Sequence, residues 1–274
     1  MTTPQSRIAD HVHSALDVVP QTPIIEPLRR AFAAHEGALA DIENAFRTFT
    51  SAAPTPERAR YFFHSWSLTN HSAMCVSGIG NRITLRLLDE RNGIDKPRLT
   101  SALLALHRIS DEDLGALGGT LHADLFYEMA DLFCDGDAWM RRGFALDSAR
   151  AFKDYKNRTG LRMPDLMFGL LSTVAHEVYT HGEVEFILPL FRGLVQQHFD
   201  IDEKQQRRRL AWISVHCGPT EREHFRHAVE AIDHYCAATH TDLGAYELEQ
   251  LFGEYIENKA AVMRDLSRLM TTLN

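Results

Sequence analysis

Acidic residues in line with apolar residues on predicted helices are the part of this sequence best suited to chemistry. In LHADLFYEMADLFCD, Glu128 is in line with Leu125 and Leu132 at helical spacing, and Asp131 lies three residues further on. Burying an unpaired carboxylate costs several kcal/mol or forces it to take up a proton. We therefore expect a metal ion or a basic partner at Glu128 and Asp131, unless they are paired structural acids or are half-exposed.

A second acidic segment, THGEVEFILPLF, contains a proline that a helix would have to accommodate. Pro189 removes the hydrogen-bond donor for the carbonyl of Glu185, and a kink there would turn a side chain inward. Glu177, His181 and Glu183 lie in the same stretch, and periodicity does not decide which carboxylate faces the core. Glu185 is the preferred metal ligand and Glu183 a weaker candidate, whereas a charged cluster at a helix end is the alternative.

The segment VHCGPTEREHFRHAVEAI places a carboxylate and an imidazole on one helix face. Glu221 and His224 are three residues apart and can reach one point, as E-x-x-H pairs do in dinuclear iron or manganese centres of helical bundles. His216 and Cys217 precede this pair. The competing interpretation is a capping box over 220–223, in which Glu221 only complements the helix dipole.

Other functional motifs are weaker or absent from the sequence. His64 and His71 are seven residues apart on one predicted helix face; His71 is a weaker candidate ligand, because such a histidine is more often a hydrogen-bonded core residue. There is no glycine-rich phosphate loop, GxSxG elbow or HExxH motif. The four cysteines form no CxxC pair, which predicts neither a structural zinc site nor a disulfide framework and favours the reducing cytoplasm.

Helical periodicity dominates the elements that must position these residues, so we predict an all-α protein. Residues 1 to about 20 look loosely ordered, and SAAPTP at 51–56 is the clearest break. We expect 1–55 to form an N-terminal extension with a helix and 56–274 to form a helical bundle, in a single domain overall. The predicted helices are 26–49, 56–90 (loosened at Gly78 and Gly80), 98–107, 110–134 (interrupted at Gly118–Gly119), 138–157, 164–182, 183–198, 203–217, 221–239 and 243–271.

The composition narrows the possible partners. Of 274 residues, 45% are hydrophobic and 24% charged, the balance of an ordinary globular protein. The formal net charge of −8 argues against a nucleic-acid partner bound through its phosphates. The longest uncharged apolar stretch, 166–175, is too short to cross a bilayer. We therefore expect a small-molecule partner and neither nucleic acid nor membrane.

The order of ExxH-like, E-x3-P and H-x3-D-x2-H-like elements in a helical chain of this length resembles the heme-oxygenase-like diiron oxidases and oxygenases, over about residues 56–240. The resemblance implies a heme-oxygenase-like bundle of about seven core helices, here with an N-terminal helix, and often a homodimer. It also implies two Fe(II) ions that use O2 to oxidise an amino-acid-like or fatty-acid-like substrate, often in natural-product biosynthesis.

Matched to that family, Glu128 and Asp131 stand where its second core helix carries an acid and a histidine. Glu185 is similar to the family's E-x3-P glutamate. The glutamate of the first core helix has no clear match, and His71 or Asp89 are the nearest residues.

In the last motif of the family, Glu221 replaces the usual aspartate and His224 matches the final histidine. Strict spacing puts Cys217 at the first histidine of that motif. His216 could bind metal only if Gly218–Pro219 absorbs one extra residue as a bulge.

Two other functions remain open from the sequence. A metal-free protein of the same broad fold could use these acids and histidines for acid–base or cofactor-independent chemistry. A non-catalytic helical protein could instead bind a small ligand and retain an altered metal site, in which case an arginine would neutralise Glu128.

Overall fold

The computed structural model describes residues 6–70, 72–89, 93–116 and 119–273, and all regular structure within them is helical, as predicted. The α-helices in these ranges are α1 (Ile8–Val18), α2 (Ile25–Ala34), α3 (Glu36–Thr50), α4 (Pro56–Thr69), α5 (Ala73–Leu88), α6 (Lys96–Asp113), α7 (His122–Cys134), α8 (Asp147–Asn157), α9 (Leu166–His198), α10 (Glu203–Arg209), α11 (Ala211–Val215), α12 (Pro219–Thr239) and α13 (Leu248–Thr272). Single 3₁₀ turns lie at Asp137–Met140, Arg142–Phe144 and Leu243–Ala245, and a π-helical turn at Arg158–Arg162.

The 33-residue helix α9 is the centre of the bundle, and it joins the two helices predicted for 164–182 and 183–198. Pro189 lies inside α9 and does not end it. Most residues from Leu166 to Val195 are buried, because α12, α1, α5, α13 and α3 pack around this helix. A helix that is apolar on all sides must be covered, so each polar side chain within it needs a partner.

Helix α1 covers one side of α9, so the prediction of loose order over the first 20 residues is wrong for Ile8–Val18. Ile8, Val12 and Leu16 are fully buried at helical spacing, and Glu43 accepts a 2.8 Å hydrogen bond from the Ile8 amide. At the contact, a Cβ added to Gly182 would lie 2.9 Å from the Ile8 carbonyl oxygen. Helix α1 has only 11 residues, which is too short for its apolar period to predict a helix clearly.

Several predicted helix boundaries are corrected near the core. The predicted 56–90 helix divides at Asn70, between α4 and α5, rather than at Gly78 or Gly80, and it begins as expected with Thr55 capping the Arg58 amide at 3.3 Å. The predicted 26–49 helix divides between α2 and α3.

Helix α6 runs without interruption through the position predicted for a new helix start. Ser110 donates to the His107 carbonyl at 3.3 Å instead of capping, so α6 contains the predicted 98–107 helix together with the first residues of the predicted 110–134 helix. Residues 90–92 and Gly118, where a helix end and an interruption were predicted, lie outside the described residues.

No helix in the described ranges combines the length and the apolar character needed to cross a membrane.

Candidate functional site

A cavity of about 430 Å³ lies against α9 and is bordered by α4, α5, the end of α6, α7, α8, α11 and α12. Its volume is in the range of about 300–1,000 Å³ typical of small-molecule pockets. The charged and imidazole side chains lining it are Asp113, His122, Lys153, His176, Glu177, His216 and Glu221.

Three buried groups from α9 and α12 converge beside this cavity. One ligand atom from each of Glu177, Glu221 and His224 lies within 4.8 Å of the others. Nδ1 of His224 is 3.7 Å from a carboxylate oxygen of both glutamates. The opposite ring nitrogen, Nε2, lies 3.0 Å from Oε2 of Glu112, a half-exposed residue on α6. We refer to Glu177, Glu221 and His224 as the inner triad.

A second group, which we call the outer triad, consists of Asp113, His122 and His216, whose ligand atoms also lie within 4.8 Å of one another. His122 Nδ1 is 3.0 Å from Asp113 Oδ1. His216 places Nδ1 2.6 Å from the Trp212 carbonyl oxygen and Nε2 3.7 Å from Oε1 of Glu221. Glu221 of the inner triad therefore contacts both triads and joins them into one cluster of six groups.

Local chain breaks explain how the outer triad forms. Asp113 is the last residue of α6 and His122 the first of α7, so both face the cavity from either side of one loop. His216 follows α11, and Gly218 has a φ of 74° before α12 begins. That left-handed residue, which favours glycine, interrupts the helix and absorbs the extra residue, so that His216 and Glu221 both point at the site.

Burial is the main electrostatic feature of the two inner carboxylates. It raises the pKa of Glu177 and Glu221, against the opposing charge of His224. Glu177 Oε1 and Glu221 Oε2 are buried and have no hydrogen-bond partner among the described residues. Each glutamate thus presents one oxygen that the chain does not satisfy, which is costly in a dry interior.

The histidines differ in how the same interior affects them. Burial lowers the pKa of His216 to about 4, which keeps this imidazole neutral near pH 7. Burial also acts to lower the pKa of His224, but its hydrogen bond to Glu112 and the charges of Glu221 and Glu177 outweigh burial and raise that pKa to about 10. The cluster therefore contains one imidazole held neutral and one that attracts a proton or a metal ion.

The structure does not bring Glu128 and Asp131 to this cluster. Glu128 is a half-exposed partner of Arg208, with two N–O contacts of 3.0 and 3.1 Å, and Asp131 accepts a 3.1 Å hydrogen bond from Trp139 Nε1. On α7 the buried face runs through Phe126, Met129, Ala130 and Phe133. The expectation fails because α7 carries two apolar stripes, and the more buried one is turned away from Glu128.

Glu185 and Cys217 also have other roles. Glu185 is half-buried and accepts a 2.6 Å hydrogen bond from the Gly218 amide, at the start of α12. Cys217 donates through Sγ to the Ile213 carbonyl at 3.2 Å, and burial raises its thiol pKa to about 12. Neither residue is in the six-group cluster. The glutamate that α9 contributes to the cluster is Glu177, about two helical turns before the predicted Glu185.

Glu183, the weaker acidic candidate, is buried away from the cavity and hydrogen-bonded to its own chain. His71 lies outside the described residues. Asp89 is the residue after α5 and does not line the cavity, and His64 bonds the Arg141 carbonyl through Nδ1 at 2.9 Å. The structure therefore brings together His216, Glu221 and His224 among the predicted ligands.

Sequence reasoning missed three members of the cluster as ligands. Glu177 had a usable signal, since it interrupts a long apolar run that becomes the buried helix α9. Asp113 and His122 had none, because they flank a loop and no helical period relates them.

Comparison with solved structures places this fold beside a TenA homolog from Pseudomonas syringae pv. tomato str. DC3000. The TM-score is 0.68 at 14% sequence identity, and the match covers 92% of this chain and 95% of that chain. No protein-family model and no curated protein matches the chain. The likeness confirms the predicted helical-bundle fold.

Proposed function

We propose that this protein is an O2-dependent non-heme diiron oxidase or oxygenase that acts on a small molecule bound in the cavity. Three carboxylates and three imidazoles in one cluster support the proposal, and they form two triads that are linked by the contact between Glu221 and His216. Such a nitrogen and oxygen donor set suits divalent iron or manganese. A natural-product pathway, a homodimer and a cytoplasmic location remain predictions.

The orientation of two histidines carries this proposal. Trp212 O can only accept, so His216 donates to it from Nδ1 and directs the lone pair of Nε2 toward Glu221 Oε1 at 3.7 Å. Glu112 accepts from His224 Nε2, which turns Nδ1 toward the carboxylates of the inner triad. Lone pairs that face carboxylate oxygens repel each other, so a cation between them makes this arrangement favourable, either a metal ion or, at His224, the proton that its raised pKa attracts.

The chain's own residues would prepare that cation site. Glu112 and the Trp212 carbonyl fix the rings of His224 and His216, as outer hydrogen-bond partners of metal-binding histidines do. The unsatisfied oxygens of Glu177 and Glu221 complete the donor set. Bound iron would supply the electrons that activate O2, which amino-acid side chains do not provide. Phe126 and Trp212 keep the adjoining cavity apolar.

A metal-free acid–base enzyme is the second candidate, and the raised pKa of His224 favours it. With a pKa of about 10, His224 could hold a proton where the first proposal has a metal ion. Glu177, whose pKa burial raises, could then exchange protons with a substrate in the cavity. The two candidates differ in whether the protein binds iron tightly.

Anaerobic loading with Fe(II) tests the proposal directly. We expect about two irons per chain by elemental analysis, and O2 uptake by the loaded protein when it is exposed to air. Glu221→Gln should lose both irons, because Glu221 belongs to the inner triad and also contacts His216 of the outer triad, and Glu177→Gln should lose at least one.

Glu185→Gln and Glu128→Gln are the matched controls, since both change a glutamate outside the cluster. Both should bind iron as the unaltered protein does. Absence of tightly bound iron in the unaltered protein, or full iron content in Glu221→Gln, would contradict the diiron proposal and leave acid–base chemistry as the better one.

A further inference from the structure

An imidazole that belongs to neither triad also lines the cavity. His176 lies on α9 directly before Glu177, and only 5% of its surface is exposed. A polar ring buried to this extent needs a hydrogen-bond partner for each of its two nitrogens. The described part of the chain supplies a partner for one of them, Nδ1, and leaves the other, Nε2, for a ligand.

Tyr255 on α13 is the partner of Nδ1. Its hydroxyl oxygen lies 2.7 Å from His176 Nδ1, and both side chains are buried. The hydroxyl has no other hydrogen-bond partner among the described residues. If Nδ1 donated this bond, the hydroxyl proton would be buried without an acceptor, which is costly. The hydroxyl therefore donates and Nδ1 accepts.

This hydrogen bond decides which ring nitrogen carries the proton. With Nδ1 as the acceptor, His176 must carry its proton on Nε2. Nε2 has no partner in the described part of the chain and keeps surface that a ligand can reach. Because His176 borders the cavity and Tyr255 does not, the ring extends from Tyr255 toward the cavity. His176 thus presents an N–H donor of fixed orientation to a bound molecule.

The surroundings of His176 favour an uncharged acceptor. The one partner of its ring among the described residues is the neutral Tyr255 hydroxyl, and a buried imidazolium without a counterion is costly, so the ring is neutral. Glu177, the next residue, is a buried carboxylate that also lines the cavity, and it repels an anionic group. A carbonyl oxygen accepts from a neutral N–H donor and adds no charge to this buried wall.

We infer that His176, oriented by Tyr255, binds the carbonyl oxygen of an uncharged substrate in the cavity. Because Glu177 follows His176 in the chain, this hydrogen bond holds the carbonyl group beside the inner triad. Phe126 and Trp212 line the same cavity and contact the apolar remainder of the molecule. The inference deepens the proposed function by naming the substrate class, and it rests on that function where it calls the ligand a substrate.

Acetophenone and ethylbenzene are matched probes, because the first has a carbonyl group where the second has a methylene group. Both are titrated calorimetrically into metal-free protein. A hydrogen bond between neutral groups changes Kd by about three- to tenfold, so acetophenone should bind more tightly by that factor. His176→Phe keeps a ring but removes both nitrogens, and it should make the two Kd values equal. A structural role alone would weaken both probes together. His198→Phe, at an exposed histidine outside the cavity, should leave the ratio unchanged.

Ring nitrogen chemical shifts of isotope-labelled histidines test the orientation of His176 without any ligand. In the unaltered protein His176 should carry its proton on Nε2 and accept at Nδ1. Tyr255→Phe removes the hydroxyl that fixes this form, so both forms of the ring should become populated and the preference for acetophenone should fall. This measurement decides the inference even where His176→Phe does not fold.

Three outcomes would overturn the inference: a proton on Nδ1 in the unaltered protein, equal affinity for the two probes, or an unchanged ratio in His176→Phe. Tighter binding of benzoate than of acetophenone would also overturn it, because Lys153 in the cavity lining would then select an anion. Iron content is measured separately on the unaltered protein. Failure of the diiron proposal therefore appears as absence of iron with the His176-dependent preference retained.

Discussion

Glu177 and Glu183 lie six residues apart on α9, and both are buried, yet their surroundings are opposite. Glu183 accepts from Trp66 Nε1 at 2.9 Å and from the Tyr179 hydroxyl, and it pairs with Lys259 Nζ at 2.9 Å. Glu177 has one oxygen with no partner among the described residues and another 3.7 Å from His224.

The difference separates a structural carboxylate from a binding one. At Glu183 the chain supplies every donor that the carboxylate needs, so nothing is left for a ligand. At Glu177 the chain buries the carboxylate and fixes its position but leaves one of its oxygens without a hydrogen-bond donor. Burial of a carboxylate by itself therefore does not indicate a binding site. A buried carboxylate oxygen that no donor of the chain satisfies does indicate one.

Loss of the carboxylate charge at Glu183 should have the largest effect on stability. Glu183→Gln leaves the fully buried Lys259 without its counterion, and removal of one partner of such a pair costs about 3–5 kcal/mol. Urea denaturation of the metal-free protein measures this loss. Replacing both partners with apolar residues, as in Glu183→Leu with Lys259→Met, should recover most of it. A loss of less than about 1 kcal/mol in the free energy of unfolding of Glu183→Gln would contradict the structural role of Glu183.

The same change at Glu177 should act in the opposite direction. Burial raises the pKa of Glu177 above its ordinary value of 4.5, so ionising it costs the metal-free protein stability as pH rises past that value. Glu177→Gln should therefore stabilise the metal-free protein by roughly 1–3 kcal/mol at pH 8 and have little effect at pH 4. Urea denaturation at the two pH values measures whether the variant is more or less stable than the unaltered protein. Destabilisation at pH 8 would show that Glu177, like Glu183, has a structural role.

His216 should account for part of the loss of folding stability at acidic pH. Its pKa is about 4 in the folded protein against 6.5 in the unfolded chain, so the unfolded chain binds the extra proton between these values. The contribution of His216 to the stability of the metal-free protein should therefore fall as pH drops from 6.5 to 4, by up to about 3 kcal/mol. His216→Asn should flatten that fall, while substitution of the exposed His198 should not. Identical pH profiles would show that His216 does not stay neutral.

The smallest effect should come from Glu128, the sequence-based candidate. Its ion pair with Arg208 is exposed, and exposed pairs contribute little to stability. Glu128→Gln should leave both the urea midpoint and the iron content unchanged. A clear loss of iron in this variant would show that Glu128 belongs to the metal site, and Glu128 would then no longer differ from Glu177 in this respect.

The sequence predicted the helical class, the Thr55 cap and the segment that carries Glu221 and His224. Local patterns were sufficient there because a cap and an E-x-x-H pair are each set within one turn of helix. The Glu128 prediction failed because two apolar stripes on α7 are equally plausible until neighbouring helices select one.

Glu177 and Glu183 could not have been told apart from sequence. Trp66 and Lys259, which complete Glu183, are distant along the chain and come from α4 and α13. Tertiary packing alone brings them together, and the same holds for Asp113 and His122 in the outer triad. The sequence identified acids that needed partners, and only the packed bundle showed which of them lack one.

Gly218 gives this protein a point of unusual sensitivity to chain length. A Cβ there would meet no atom within 4 Å, so a larger residue is resisted only by the backbone angle that the turn demands. Deleting Gly218 would join α11 and α12 into a continuous helix and rotate His216 by about 100° away from Glu221. Related chains that share the chemistry should therefore tolerate substitutions around this turn more readily than insertions or deletions.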